Sequence, residues 1–227
     1  MLNIKGGRNV MNHIHLEEVD PLEIEKRSFE IISEELGDRI FKEEQELVIK
    51  RCIHTSADFD YADNLCFSKD AVKIGIHGIL SGAHIVTDTN MAKAGINKKV
   101  LESFGGQLHC FMADEDIARS AKKQGCTRAA ASMEKAATMK EDLIIAVGNA
   151  PTALVRLYEL IKEERIKPKL IIGVPVGFVN VVASKELIMS TEIPYIVAKG
   201  RKGGSNIAAC ICNALLYMIR DQKLDLS

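Results

Sequence analysis

Four times in its second half the chain runs from a short apolar segment straight into a small-residue loop and then a helical pattern. The segments are His84-Ile85-Val86-Thr87-Asp88, Leu143 to Thr152, Leu170 to Gly177, and Tyr195 to Ser205. Near-continuous Val/Ile/Leu runs, without strict alternation, are the mark of strands buried on both faces. Parallel strands need crossover connections, usually helices, and these wind right-handed. Strands are therefore expected over 84–88, 107–112, 142–148, 169–174 and 194–199. The expected fold is α/β, a doubly wound five-stranded parallel sheet with an N-terminal helical segment, the common order 2-1-3-4-5 being preferred. Ligands of such sheets sit where strands end and helices begin.

Before residue 83 the apolar spacing is helical. Asp20-Pro21-Leu22-Glu23 reads as a capping box with proline at the first helical position, followed by Ile24, Phe29, Ile32 and Leu36 at helical spacing. A second helix begins near Lys42 and is expected to carry Leu47, Val48, Arg51 and His54 along one side. A third follows Ser68, where Gly75, Gly78 and Gly82 suit close approach of another backbone. Residues 114–140 read as helix broken at Gly125. Residues 1–18 are expected to be a loose leader, and 19–227 one domain with a helical first third (19–82) and a parallel-sheet part (83–220).

With 30 Lys plus Arg against 31 Asp plus Glu, the net charge of -1 provides no global field toward nucleic acid or anionic lipid. Anion binding has to be local. The longest apolar stretch, Leu170 to Ala183, is broken by Pro175 and falls short of the roughly 20 residues a bilayer requires. No export signal opens the chain, so a cytoplasmic location is expected. The cysteines lack Cys-x-x-Cys spacing and the histidines lack His-x-x-x-His spacing, so reduced core thiols and no protein-held metal are expected.

The strand-end loops lack both the dinucleotide fingerprint and the P-loop spacing. In Gly200-Arg201-Lys202-Gly203-Gly204-Ser205, two cations stand beside a helix start, which suits carboxylate or phosphate, although a solvated turn has the same composition. Asn149-Ala150-Pro151-Thr152 opens another helix and could be capping alone. Pro175-Val176-Gly177-Phe178 is apolar and stiff, fit to lie against a flat ligand or another subunit. Arg51 and His54, three apart on one helix, would let a cation hold an anion while an imidazole moves a proton. The plainer alternative pairs Arg51 with Glu44 or Glu46 and bonds His54 to a carbonyl. His13 and His15 fall in the leader, while His77, His84 and His109 are expected to be packed or capped. Ser28 could be merely exposed. Arg128 opens a helix whose dipole opposes it, with a salt bridge as its default explanation.

Taken together, Lys26-Arg27-Ser28-Phe29, Arg51-Cys52-Ile53-His54, Thr127-Arg128-Ala129-Ala130-Ala131, Gly148 to Leu154, Gly173 to Val179 and Gly200 to Ser205 resemble, in order and spacing, the precorrin-8X methylmutase family of cobalamin biosynthesis. The likeness extends from about Val19 to Ile219. It implies a flavodoxin-like homodimer that moves a methyl group from ring carbon 11 to ring carbon 12 of a contracted tetrapyrrole, without an external methyl donor. It also implies that His54 is the general acid and that Ser28, Arg51 and Arg128 contact substrate. A macrocycle fringed with carboxylates further suggests Asn149, Lys199, Arg201 and Gly204 as binding residues. No cofactor is expected; any cobalt is carried by the corrinoid substrate and product. Two other readings are an α/β enzyme acting on a small phosphorylated metabolite through the Gly200 loop, and a tetrapyrrole carrier without catalysis.

Overall fold

The computed structural model describes residues 20, 21 and 23–221; the leader with His13 and His15 lies outside them. The chain begins with α1 (Ile24–Leu36), α2 (Glu43–Ser56) and α3 (Tyr61–Asn64), then β1 (Leu65–Phe67) and α4 (Ala71–Leu80). Next come β2 (His84–Thr87), α5 (Asn90–Gly95), α6 (Lys98–Ser103), β3 (Leu108–His109), α7 (Glu115–Gln124) and α8 (Arg128–Ala136). The remainder is β4 (Leu143–Val147), α9 (Pro151–Lys162), β5 (Leu170–Gly173), α10 (Val181–Met189), β6 (Tyr195–Ala198) and α11 (Ser205–Arg220).

The sheet has six strands in order β1-β6-β5-β4-β2-β3. The five expected segments pair in parallel, and renumbered among themselves they stand in order 2-1-3-4-5. The expected all-parallel, five-stranded sheet is nevertheless corrected. Leu65-Cys66-Phe67 adds an antiparallel edge to β6, with Cys66 opposite Val197. Three residues between two helices are too short to show a strand period. The first third is therefore not purely helical.

Along β4 the side chains alternate: Ile144 and Ala146 join one core, while Leu143, Ile145 and Val147 join the other. The first core is closed by α2, α4, α5, α6 and α11, the second by α8, α9 and α10. Gly75 allows α4 to settle there, since a Cβ at that position would stand 2.7 Å from Leu170 and 3.1 Å from Leu215. It accommodates side chains, not the backbone that its spacing suggested. Helix 114–140 does break at Gly125, which takes the left-handed conformation (φ 65°).

Two helix starts and faces differ from expectation. Glu23 precedes α1 without a side-chain cap, and its amide donates to the Asp20 carbonyl at 2.8 Å, so a backbone turn replaces the capping box. In α2 the buried stripe is Val48, Ile49, Cys52 and Ile53. Leu47, Arg51 and His54 lie on the stripe's outer flank, which turns the last two toward the surface.

Candidate active site at the strand ends

All five parallel strands point the same way, so the loops after β2, β4, β5 and β6 share one edge. They are locked together by backbone contacts. A Cβ on Gly148 would stand 2.7 Å from the Ser205 Cα, and one on Gly203 would run into the Val174 carbonyl oxygen. Gly204 donates its N–H to that carbonyl at 2.9 Å, and Gly177 donates to the Arg201 carbonyl at 3.1 Å. Ser205 and Thr89 hydroxyls meet at 2.8 Å, which ties in the β2 end.

Asp88 is the buried polar centre of this edge. Its carboxylate accepts the amides of Gly148 (2.8 Å), Asn149 (2.9 Å) and Ala150 (2.7 Å). Burial pushes its carboxyl above the ordinary value, and the three amides oppose that shift. The Asn149 amide is thus already used. The Asn149 side chain, by contrast, makes no hydrogen bond among the described residues.

On the first face of the sheet, α1 packs against α2, and its Glu25 and Phe29 meet Arg51 and His54, with Ser28 next to Phe29 in the chain. Phe29 stacks on His54 (centroids 5.6 Å, planes 19° apart), and the Arg51 guanidinium lies between the rings of Phe29 (5.5 Å) and Tyr217 (5.0 Å). Arg51 pairs with Glu25 at 3.0 Å, not with Glu44 or Glu46, because it projects toward α1 and away from its own helix. Its Nε is buried and, among the described residues, has no hydrogen-bond partner. Such an orphan donor costs roughly 1–3 kcal/mol unless a ligand completes it. His54 is exposed in the last turn of α2, and among the described residues its ring nitrogens have no hydrogen-bond partner, so the carbonyl-bonded alternative fails. The Ser28 hydroxyl donates to the Ile24 carbonyl at 2.9 Å, which leaves its oxygen to accept.

Behind Arg51, Thr55 donates to the Cys210 sulfur at 3.2 Å. Hydrogen bonds from Cys52 and Thr55, and the nearby Arg51, hold the Cys210 thiol below its ordinary value. Cys52, Cys110 and Cys212 are buried as expected for core thiols, but Cys126 is exposed on the turn before α8.

The β6–α11 loop is the bridge to α2. Lys202 is held by Asp58 and Asp60, both at 2.6 Å, just beyond the helix that carries His54. The second cation expected for ligand binding is therefore committed to the fold. Arg201 stays exposed, 5.4 Å over the Phe178 ring and without an ion pair among the described residues. Gly204, at φ 139°, stands immediately before α11. Lys185, missed in the sequence, is 1% exposed and donates to the carbonyls of Gly200 and Lys202, both at 2.8 Å.

Arg128 and Asn149 lie toward the second face. The Thr127 and Thr152 hydroxyls meet at 2.8 Å, which sets the start of α8 beside that of α9. Arg128 is exposed, and among the described residues no carboxylate pairs with it, contrary to its default explanation. No contact joins Arg128 to the Arg51–His54 cluster among the described residues, and the sheet edge separates them. The other histidines stand apart: His77 is exposed, while His84 Nδ1 and His109 Nε2 meet at 3.0 Å near the opposite end of the sheet. Among the described residues no group of three His, Cys, Asp or Glu is disposed to hold a metal ion.

The chain as a whole is similar to proteins of known family. The profile of the family described as CbiC, precorrin-8X methylmutase, matches residues 23–218. The chain belongs to the precorrin-8X methylmutase family. A protein of Priestia megaterium named cobalt-precorrin-8 methylmutase is 44% identical over 197 residues, covering 87% of this chain and 88% of that one. A Salmonella typhimurium protein of the same name is 43% identical over 207 residues, covering 88% and 97%. One from Pseudomonas aeruginosa named precorrin-8X methylmutase is 34% identical over 194 residues, covering 85% and 93%. The solved precorrin-8X methylmutase of Thermus thermophilus superposes with a TM-score of 0.82 at 35% identity, over 89% of this chain and all of that one. Membership of the methylmutase family makes the chain an isomerase of cobalamin biosynthesis, one that shifts a methyl group within its substrate.

Proposed function

We propose that the chain moves the methyl group from ring carbon 11 to ring carbon 12 of cobalt-precorrin-8, or of its metal-free equivalent, at the strand-end cleft. The observation that carries this reading is the buried, unpartnered Arg51 Nε beside the exposed, stacked His54. It supplies an anion holder and a proton donor on one helix. Arg128, Arg201 and Lys199 add separated cations for the carboxylate fringe, with Ser28 and the side chain of Asn149 as polar contacts. Phe178, 83% exposed, and Val179, 78% exposed, offer flat apolar surface to the ring. Gly204 lets the start of α11 come close to it.

A concerted methyl shift within a conjugated ring needs no nucleophile. It is helped by a proton delivered to the macrocycle; in this reading His54 gives that proton and takes it back once the methyl group has moved. Phe29 holds the imidazole plane while Arg51 fixes a carboxylate nearby. The chain itself supplies no cofactor; cobalt, where present, arrives inside the substrate. Relatives named for the cobalt-loaded substrate range from 35% to 44% identity, against 32–34% for two named for precorrin-8X, which supports the cobalt form. A homodimer in the cytoplasm is the proposed setting.

Incubation with cobalt-loaded and with metal-free precursor, followed by visible absorbance, tests the reading. Conversion to a cobyrinate or hydrogenobyrinate spectrum is expected, faster with the cobalt form. Tight binding of precursor without conversion would make the chain a carrier. Phosphate competition without corrinoid binding would favour the small-metabolite reading.

A further inference from the structure

The loop that presents Arg201 contains three glycines at positive φ, Gly200 at 75°, Gly203 at 151° and Gly204 at 139°, so it has little intrinsic stiffness. Its shape is imposed from below. Lys185 comes up from α10 on the buried stripe with Val181, Ser184 and Ile188, and its ammonium bonds the carbonyls on either side of Arg201. The Arg201 carbonyl itself is taken by the Gly177 amide. Three successive carbonyls are thus fastened inward, from Gly200 to Lys202. An ammonium buried this deeply is costly unless bonded. Nothing in the packing of α10 requires a charge, since apolar residues fill its other buried positions apart from the small Ser184.

We propose that Lys185 is a positioning residue for carboxylate recognition, fastening the 200–204 loop in the shape that offers Arg201 to the substrate. The inference rests on the corrinoid reading of this cleft. Through Lys202, the same fastening orients the contact with Asp58 and Asp60 at the end of the helix carrying His54.

The fastening is sensitive to pH. Burial pushes the Lys185 ammonium down to about 8. No charge offsets this shift. Among the elements packed on α10, β5 has no titratable side chain, and β6 has only Tyr195. On α9, Arg156 is paired with Glu159, Glu134 and Glu163, and Lys162 lies over Tyr158. Glu186 is the neighbouring charge on α10 itself. In the loop, Arg201 and Lys202 are turned to Phe178 and to the aspartates. Above about pH 8 the neutral amine bonds the carbonyls more weakly and the loop loosens. The sign for folding is opposite: a lysine depressed from 10.5 makes stability rise with pH between about 8 and 10.5. Ligand affinity and fold stability therefore part company.

Titration of the full chain with cobyrinic acid, read by visible absorbance between pH 7 and 9.5, decides the matter alongside thermal melts. The wild type is expected to lose about 10-fold in affinity across that range without a parallel fall in melting temperature attributable to this group. Lys185→Met is expected to bind about 10-fold more weakly at pH 7, to show no such pH limb, and to raise KM more than it lowers kcat. Lys185→Arg, which keeps its charge throughout, should restore affinity and remain flat. Wild-type affinity that stays constant from pH 7 to 9.5 would overturn the proposal, even if Lys185→Met does not fold. So would a folded Lys185→Met that binds as tightly as wild type. Absence of cobyrinic acid binding by the wild type at every pH would instead remove the corrinoid reading and this inference with it.

Discussion

At the scale of single residues, the site depends on side chains whose roles come from neighbours far along the chain. Arg51 meets α1 through Glu25 and α11 through Tyr217. Arg51→Ala, and separately Arg128→Ala, should weaken corrinoid product binding by about 1.5–3 kcal/mol, the scale of hydrogen bonds to charged groups. Equilibrium titration by visible absorbance checks this, and unchanged affinity in both variants would remove them from the carboxylate contacts. Phe29→Leu keeps apolar volume but removes the ring that stacks on His54. It should lower kcat more than it raises KM, because proton delivery depends on the orientation of the imidazole. Arg51 and His54 were recognisable as a pair because helical spacing brings them near each other. Phe29, Tyr217 and Asp88 were not, since contacts between distant segments leave no local period. Lys185 did leave a signal: a lone lysine at helical spacing with Val181 and Ile188, in a run otherwise apolar on that side.

At the scale of elements, the strands were readable and their edge was not. Runs such as Leu143 to Val147 are apolar throughout because both faces are covered, and length separates them from helices. β1 escaped notice because three residues show no period and its stabilisation comes from β6, well over 100 residues later. The loops that the strands lead into were visible as glycine and proline clusters. Their mutual locking was not. Asp88→Ala would leave the amides of Gly148, Asn149 and Ala150 without their acceptor. We expect it to cost about 2–4 kcal/mol in denaturant melts, since buried unsatisfied groups each carry a penalty of roughly 1–3 kcal/mol, only partly relieved by water. Gly203→Ala places a methyl group against the Val174 carbonyl at a backbone angle that other residues avoid. Its strain is expected to be at least about 1–3 kcal/mol, with corrinoid affinity falling because the loop must shift.

For the whole molecule, the two cores on opposite faces of the sheet hold two separate groups of site residues, and the strand-end loops join them. The Lys202 contact to Asp58 and Asp60 is the polar link between the β6–α11 loop and α2. The Lys202 hydrogen bond holds the Asp58 carboxyl below the ordinary value. A carboxyl depressed on folding stabilises above its unfolded value and loses that contribution as pH falls through the folded one. The link should therefore persist through neutral pH and fail in acid below about 4. Lys202→Met should abolish that acid-dependent contribution, as read by melts at pH 3 to 6, with only a small change at pH 7 because the pair is partly solvated. Fold class, the positions of the parallel strands and the edge bearing the candidate site follow from patterns within short windows, whereas the strand order was expected only as the common winding of such sheets. The distribution of cations around that edge depends on which side chains the tertiary contacts have already claimed.

In the proposed mechanism His54 supplies the proton that allows the methyl group to move. Single-turnover conversion of cobalt-precorrin-8, followed by visible absorbance with wild type and His54→Ala at equal saturation, tests it most directly. Product binding close to wild type is expected in His54→Ala, with a conversion rate lower by roughly 10²–10⁴. A variant that converts substrate at the wild-type rate would contradict it.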